Sequence, residues 1–167
     1  SDVFVVPAPL FHAWGLSQMM LAAAFGATLV LRRRFDPEVV LADIAQHHAT
    51  VLAAVPVMLQ RILSATDPGC ADTSSLRIVA VSGSALAGSL ATEWMDRFGD
   101  SLYNLYGSTE VGQATVAGPA ALRHSPGTAG TVIAGARVEI LDDAGVAVAR
   151  GESGRIFVGS PHRFTGY

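Results

Sequence analysis

Between Asn104 and Gly112 the chain reads NLYGSTEVG, which brings two glycines, two small hydroxyl side chains and one carboxylate into nine residues. It follows Leu102–Tyr106, a run that reads as a buried strand. In open α/β sheets, ligands bind at the carboxyl ends of strands. Small residues such as Gly107 let a ligand approach the backbone. The Thr109 hydroxyl can donate to a phosphate oxygen. A carboxylate beside a phosphate is repelled unless a divalent cation lies between them, so Glu110 next to Thr109 suggests Mg²⁺. Tyr106 offers a ring face to a base. A second loop of the same kind, Ser82-Gly83-Ser84-Ala85, follows the strand-like run Arg77–Ser82. Together the two loops suggest a nucleotide site. Spacing alone leaves the plain alternative open: turns between strands and helices are rich in Gly and Ser whether or not they bind anything, and Glu110 by itself reads as a solvated loop acid.

The histidines carry weaker signals. His12, in PAPLFHAWG, sits among Leu10, Phe11 and Trp14. It reads either as a packed structural residue or, with Trp14, as one wall of an apolar substrate pocket. His47 and His48, at a helix end, read as solvated or as favourable to the helix dipole. No further cluster has metal-ligand spacing. Gly-x-Ser-x-Gly is absent, so nothing argues for a Ser-His-Asp set.

The elements that must position these residues alternate. Val3–Val6, Thr28–Leu31, Val51–Val55, Arg77–Ser82 and Leu102–Tyr106 read as strands. Leu16–Phe25, a helix opened by Asp36-Pro37-Glu38, one opened by Pro56 and Ser89–Phe98 before Gly99 read as helices. Thr66–Ser75 reads as a polar loop. This order predicts an α/β fold: a mostly parallel sheet with covering helices. Gly112–Thr131 shows no clear period. Ala136–Leu141, Val146–Ala149 and Arg155–Val158, separated by turns, predict an antiparallel meander. A boundary near Arg123–Gly127 divides an α/β unit over 1–124 from part of a small antiparallel β subdomain over 125–167.

With 167 residues, half of them hydrophobic and 15% charged, the chain can bury one real core. A net charge of −3 gives no case for nucleic acid. The apolar run Leu16–Leu31 is shorter than the ~20 residues of a spanning helix. It holds Ser17 and Gln18 and is broken by Gly26, so a core helix followed by a strand is the better reading. Arg32-Arg33-Arg34 reads as a solvated loop in preference to a peripheral contact with anionic lipid. The single Cys70 cannot pair internally and points to a reducing, cytoplasmic compartment. All eleven basic residues are arginine, so a reaction needing a lysine must take it from elsewhere.

Taken together, these motifs resemble the adenylate-forming acyl-CoA synthetases, a family that includes fatty-acyl-CoA ligases, 4-coumarate ligases, luciferases and peptide-synthetase adenylation domains. PLFHAWG is similar to the family's Pro-Leu-Phe-His-x-x-Gly segment, and VSGSAL to its adenine loop. LYGSTEVG is similar to the Tyr-Gly-x-Thr-Glu core. SPGTAGTVIAGARVEILDDAG and GESGRIFVGSPHRFTGY are similar to its Pro-Gly-Thr-x-Gly and Gly-Glu-x-Gly-Glu-Ile sections. Arg155 stands where the family usually has an acid, and Leu86 where proline is common. The resemblance covers essentially the whole chain.

It implies that Gly83, Ser84, Ala85, Tyr106 and Gly107 surround the adenine end of ATP, that Thr109 contacts the α-phosphate, and that Glu110 holds Mg²⁺. Thr109 and Glu110 would be the catalytic pair, and His12 and Trp14 would line the acid's pocket. The implied reaction activates a carboxylic, chiefly fatty, acid as an acyl-adenylate and passes it to coenzyme A. By the same resemblance the phosphate-binding loop would precede Ser1, while the ribose-binding aspartate and a lysine-bearing small domain would follow Tyr167. The chain alone would then be inactive, and a cut strand edge would promote self-association. An amino-acid adenylation domain is the nearer alternative, although FHAWGLSQ offers no aspartate for an α-amino group. A non-catalytic scaffold is the other.

Overall fold

The computed structural model describes residues 1–65, 71–161 and 163–166; Cys70 and part of the Thr66–Ser75 loop lie outside them. The α/β alternation is present. It runs β1 (Val3–Val5), α1 (Ala13–Ala24), β2 (Thr28–Val30), α2 (Pro37–His47), β3 (Val51–Ala54), α3 (Pro56–Ala65), β4 (Ile78–Val81), α4 (Gly88–Phe98) and β5 (Leu102–Ser108). The chain then continues through β6 (Gly112–Ala117), α5 (Pro119–His124), β7 (Thr131–Val132), β8 (Arg137–Leu141) and β9 (Arg155–Gly159).

Strands β2-β1-β3-β4-β5-β6-β7 form one sheet in that order. The first five are parallel; β6 and β7 are antiparallel. Strands β8 and β9 make a separate two-stranded antiparallel sheet. Side-chain alternation along the parallel strands divides the core in two. Val5, Leu52, Ala54, Val79, Val81 and Leu102 pack against Ile44, Leu59, Ile62 and Trp94 of α2, α3 and α4. Phe4, Val6, Val51, Ala53 and Ala80 pack on the other face with Trp14 and Ala22 of α1.

Local chemistry accounts for the helix ends. The Asp36 carboxylate accepts hydrogen bonds from the Glu38 and Val39 amides at 3.0 and 3.2 Å, and Pro37 supplies a pre-set φ at the first helical position. Helix α2 ends on His48 in the left-handed conformation, so the chain turns directly into β3.

Two expectations change. The stretch without a clear period holds β6, α5 and β7. The fully buried residues of β6, Ala114 and Ala117, are too small to show as an apolar stripe, and α5 buries the single large side chain Leu122. The expected three-stranded meander is reduced. The Asp142 carboxylate accepts from the Ala144 and Val146 amides, and the Glu152 carboxylate from the Ala149 amide. These turns leave Val146–Ala149 one isolated bridge, Leu141 with Ala147, and β9 takes the place beside β8.

Arg32 is not a free cation. Its guanidinium grips the buried Asp43 carboxylate in bidentate fashion, Nε to Oδ2 at 2.8 Å and Nη2 to Oδ1 at 2.5 Å. The Arg32 hydrogen bond, aided by its charge, holds the Asp43 carboxyl below its ordinary value of 3.8, against the opposing effect of burial. A carboxyl depressed in this way contributes stability above about pH 4 that is lost as pH falls through its folded value. Arg32→Ala should therefore lower the thermal midpoint at pH 7, and the gap from wild type should close as pH falls below 3.8. Calorimetric or circular-dichroism melts across that range check it; equal midpoints at pH 7 would show the pair to be dispensable.

Candidate functional site

The carboxyl ends of four parallel strands converge beside α1. The loop after β1 brings Ala8 and Pro9, β3 leads into Val55, β4 into Ser82-Gly83-Ser84, and β5 runs to Gly107-Ser108. With His12, Trp14, Gln18 and Leu21 from α1 and its start, and Met58 from α3, they line a cleft of about 980 Å³. This is where the parallel-sheet rule places a ligand.

The residues Ala13-Trp14-Gly15 seat α1 at this cleft. A Cβ on Gly15 would fall 2.4 Å from the Pro9 carbonyl oxygen, so only glycine lets the first helical turn lie on the β1 loop. The Trp14 indole N–H donates to the Ala54 carbonyl at 2.9 Å, tying the helix to the end of β3. Trp14 is thus both a structural strut and a wall. His12 precedes the helix in extended conformation without capping it through its side chain. Its ring centroid lies 4.5 Å from that of exposed Phe11.

Strand β5 is two residues longer than expected, reaching Ser108, and Thr109-Glu110-Val111 close a tight hairpin into β6. The register shifts between Tyr106 and Gly107: Tyr106 opposes Thr115 and Gly107 opposes Gln113, leaving Ala114 as a bulge. A Cβ at Gly107 would lie 2.2 Å from the Gly112 carbonyl oxygen, so the hairpin closes only over a glycine. Thr109 is exposed and Glu110 partly so, both at the tip and both lining the cleft. The Phe164 amide donates to the Glu110 carbonyl at 2.9 Å, bringing the chain's last described segment onto the tip.

The structure brings together Gly83, Ser84, Gly107, Thr109, Glu110, His12 and Trp14 as lining of one cleft. Ala85 and Tyr106 are outside that lining. Alternation along β5 directs Leu105 and Gly107 toward the α1 face, and Tyr106 toward the opposite face with Leu102 and Asn104. Tyr106 is 38% exposed there, enough to present its ring to a ligand. Gly83 has φ +93°, a conformation that side chains strain to adopt. Among the described residues no arginine lines the cleft, and Glu110 is its one carboxylate. Among the described residues no three His, Cys, Asp or Glu side chains gather as a metal site.

Gln18 and Gln113 also line the cleft, and the motif reading passed over both. Gln18 lies one helical turn after Trp14, and a polar residue at that spacing inside the apolar run LSQMMLAAAF was a legible signal. Gln113 had none, because its place depends on the bulge.

A family model described as AMP-binding enzyme matches residues 1–167. The chain is 34% identical over 165 residues to a feruloyl-CoA synthase of Amycolatopsis, covering 98% of this chain and 33% of that protein. It is 32% identical to a medium-chain fatty-acid–CoA ligase of Escherichia coli, covering 99% and 30%. The chain thus spans about a third of the length of these relatives. Among solved structures, the amide bond synthetase McbA of Marinactinospora thermotolerans superposes with a TM-score of 0.90 at 29% identity, over 99% of this chain and 34% of that one. The o-succinylbenzoate CoA synthetase of Bacillus subtilis, in complex with AMP, gives 0.87 at 29%, over 99% and 34%. Motifs, sheet order, strand-end cleft and whole-chain match agree: the chain belongs to the AMP-binding enzyme family.

Proposed function

We propose that the protein containing this chain activates a carboxylic acid with ATP and passes the acyl group to coenzyme A. The observation that carries this reading is the end of β5. Tyr106 looks to one face, Leu105 and Gly107 to the other, and Thr109-Glu110 stand at the tip between them. A base against Tyr106 and Ala85 and an acid in the α1 cleft would meet at that tip. There the carboxylate oxygen attacks the α-phosphorus and pyrophosphate leaves. The thiol of coenzyme A then attacks the acyl carbonyl and AMP departs. The Thr109 hydroxyl donates to an α-phosphate oxygen, which stabilises charge where it develops.

Mg²⁺ fits this donor set through the Glu110 carboxylate together with substrate phosphates and water, the usual manner for this ion. When bound it would offset phosphate charge that no cleft residue of this chain offsets. The acid has an apolar body, in the simplest case a fatty chain, matched to Trp14, Leu21, Val55 and Leu105. His12 lines the same cleft. The reading places the reaction in the cytoplasm, a reducing compartment suited to a thiol co-substrate. An amino-acid substrate is disfavoured because no aspartate among the described residues lines the cleft.

Glu110→Ala should reduce acid-dependent pyrophosphate exchange by about a hundredfold, the scale of losing one electrostatic stabiliser, and raise the Mg²⁺ concentration required. Unchanged exchange would remove Glu110 from the machinery. Tyr106→Ala should raise KM for ATP about tenfold, the scale of one base–aromatic stack, while leaving the acid's KM in place. A rise in the acid's KM alone would put the two substrates on the wrong faces.

A further inference from the structure

The Glu110 carboxylate stands on a three-residue loop, Thr109-Glu110-Val111, between the paired Ser108 and Gly112. Loop tips open at little cost in free energy, because few contacts are lost. A carboxylate that must meet a cation at a fixed place needs its backbone held from outside the hairpin. The chain supplies such a hold from the far side of β9. The Phe164 amide donates to the Glu110 carbonyl at 2.9 Å.

Local chemistry sets up that approach. The Arg163 amide donates to the Ser160 carbonyl at 3.3 Å, and Pro161 takes the second position of this turn, where the fixed φ of proline is favoured. The turn follows β9 directly, and the next residue after it is the one that meets Glu110. Pro161 also lies beside Gly135, its Cγ 3.9 Å from where a Cβ there would stand. Close to Gly135 the Ile133 amide donates to the carbonyl of Ala114, the bulge residue, at 3.0 Å. The segments flanking the β8–β9 sheet therefore grip the β5–β6 hairpin twice, once at its bulge and once at its tip.

The bond to the Glu110 carbonyl holds the peptide plane that carries the Glu110 Cα. It thereby limits the directions in which the Cα–Cβ bond can point. The carboxylate then has only its own rotamers to fix when a cation arrives. Ordering the backbone in advance strengthens binding, since less freedom is lost in the binding step.

We propose that the main-chain N–H of Phe164 is a positioning group for the Glu110 carboxylate. Residues 163–166 form a strap whose seating on the tip and whose effect on metal–nucleotide binding are coupled. The proposal rests on the acid-activation reading and deepens it. Coupling between two binding events is reciprocal. If the seated strap tightens the binding of Mg²⁺ with ATP by some factor, the strap is held more firmly in their presence by the same factor.

The first test is hydrogen exchange in the full-length wild-type protein, read by mass spectrometry on peptides containing Phe164. The Phe164 amide should exchange more slowly than an unstructured one. Adding Mg²⁺ with ATP should slow it about fivefold further, the scale of one hydrogen bond, and ATP with EDTA should slow it less. An amide that exchanges at the unstructured rate, or that does not respond to Mg²⁺, overturns the proposal without any variant. The second test is pyrophosphate exchange with octanoate, benzoate and 3-phenylpropenoate. Phe164→Pro, which lacks the N–H, should raise the Mg²⁺ concentration for half-maximal exchange about fivefold and leave the acid's KM in place. Phe164→Ala, which keeps the N–H, should recover most of that loss. In a Glu110→Ala background, Phe164→Pro should add less than about twofold, because the group it positions is gone. An equal effect in both backgrounds would mark a contribution to the fold alone and overturn the proposal. Hydrogen exchange decides the matter even if Phe164→Pro does not fold. Variants that match an active wild type remove the strap and leave the acid-activation reading standing, whereas a wild type active with none of the acids counts against both.

Discussion

The site depends on how closely the ends of β5 and β6 approach one another. Gly107 faces the Gly112 carbonyl so closely that a Cβ would come within 2.2 Å of that oxygen and 2.8 Å of the Gln113 Cα. Removing the side chain allows the bulge, and the bulge lets a strand that begins parallel to β4 end in an antiparallel hairpin. Without the bulge, Thr109 and Glu110 would not stand at the strand end, and Gln113 would not oppose Gly107. The same approach recurs at Gly130, where a Cβ would meet the Val116 carbonyl at 1.9 Å. The Thr128 and Ala129 carbonyls accept from Asn104 Nδ2 and Thr115 Oγ1 at 3.0 and 2.5 Å, holding that segment across β5 and β6.

Alternation along β5 turns this backbone constraint into a functional one. Leu102 and Asn104 anchor one face of the strand, and Leu105 packs toward the other. Tyr106 and Gly107, adjacent in sequence, therefore look in opposite directions. Under the proposed reaction two adjacent residues would face two ligands, which requires a strand that projects past its neighbours. β5 does so with seven residues, against three to four in β1, β3 and β4. Helix α1 crosses this face with a different period, and its polar residue Gln18 follows Trp14 by one turn into the cleft.

Much of this was legible in the residues. Asp36-Pro37-Glu38 specifies a helix start by local chemistry, and the structure holds the expected side-chain hydrogen bonds there. The β–α alternation from Val3 to Tyr106 gave the parallel sheet because each element carries its own period. Strand β6 was hidden because its buried alanines leave no apolar stripe, and helix α5 because six residues with one buried leucine, Leu122, are too short to show a period. Val146–Ala149 read as a strand by composition, but carboxylates at Asp142 and Glu152 draw the flanking amides into turns. The facing of the side chains along β5 was not legible either. A motif spells out residue types in a line, whereas facing is decided by where the strand starts to pair.

Charge sets what the cleft can and cannot do. Eleven arginines are spread over the chain, yet none lines the cleft. Several are committed to carboxylates elsewhere: Arg32 to Asp43, Arg77 to Asp2, Arg123 to Asp96 and Asp100, Arg137 to Glu139. The tip instead offers a hydroxyl at Thr109 and a carboxylate at Glu110. A polyphosphate meeting that tip finds one donor and one repulsion. The described residues thus supply position, shape and hydrogen bonds but not the positive charge that phosphoryl chemistry needs. That charge has to arrive with the nucleotide as a bound cation, or on a side chain from outside these residues. Under the proposed reaction, a cation at the tip would turn the Glu110 carboxylate from a repulsion into a ligand.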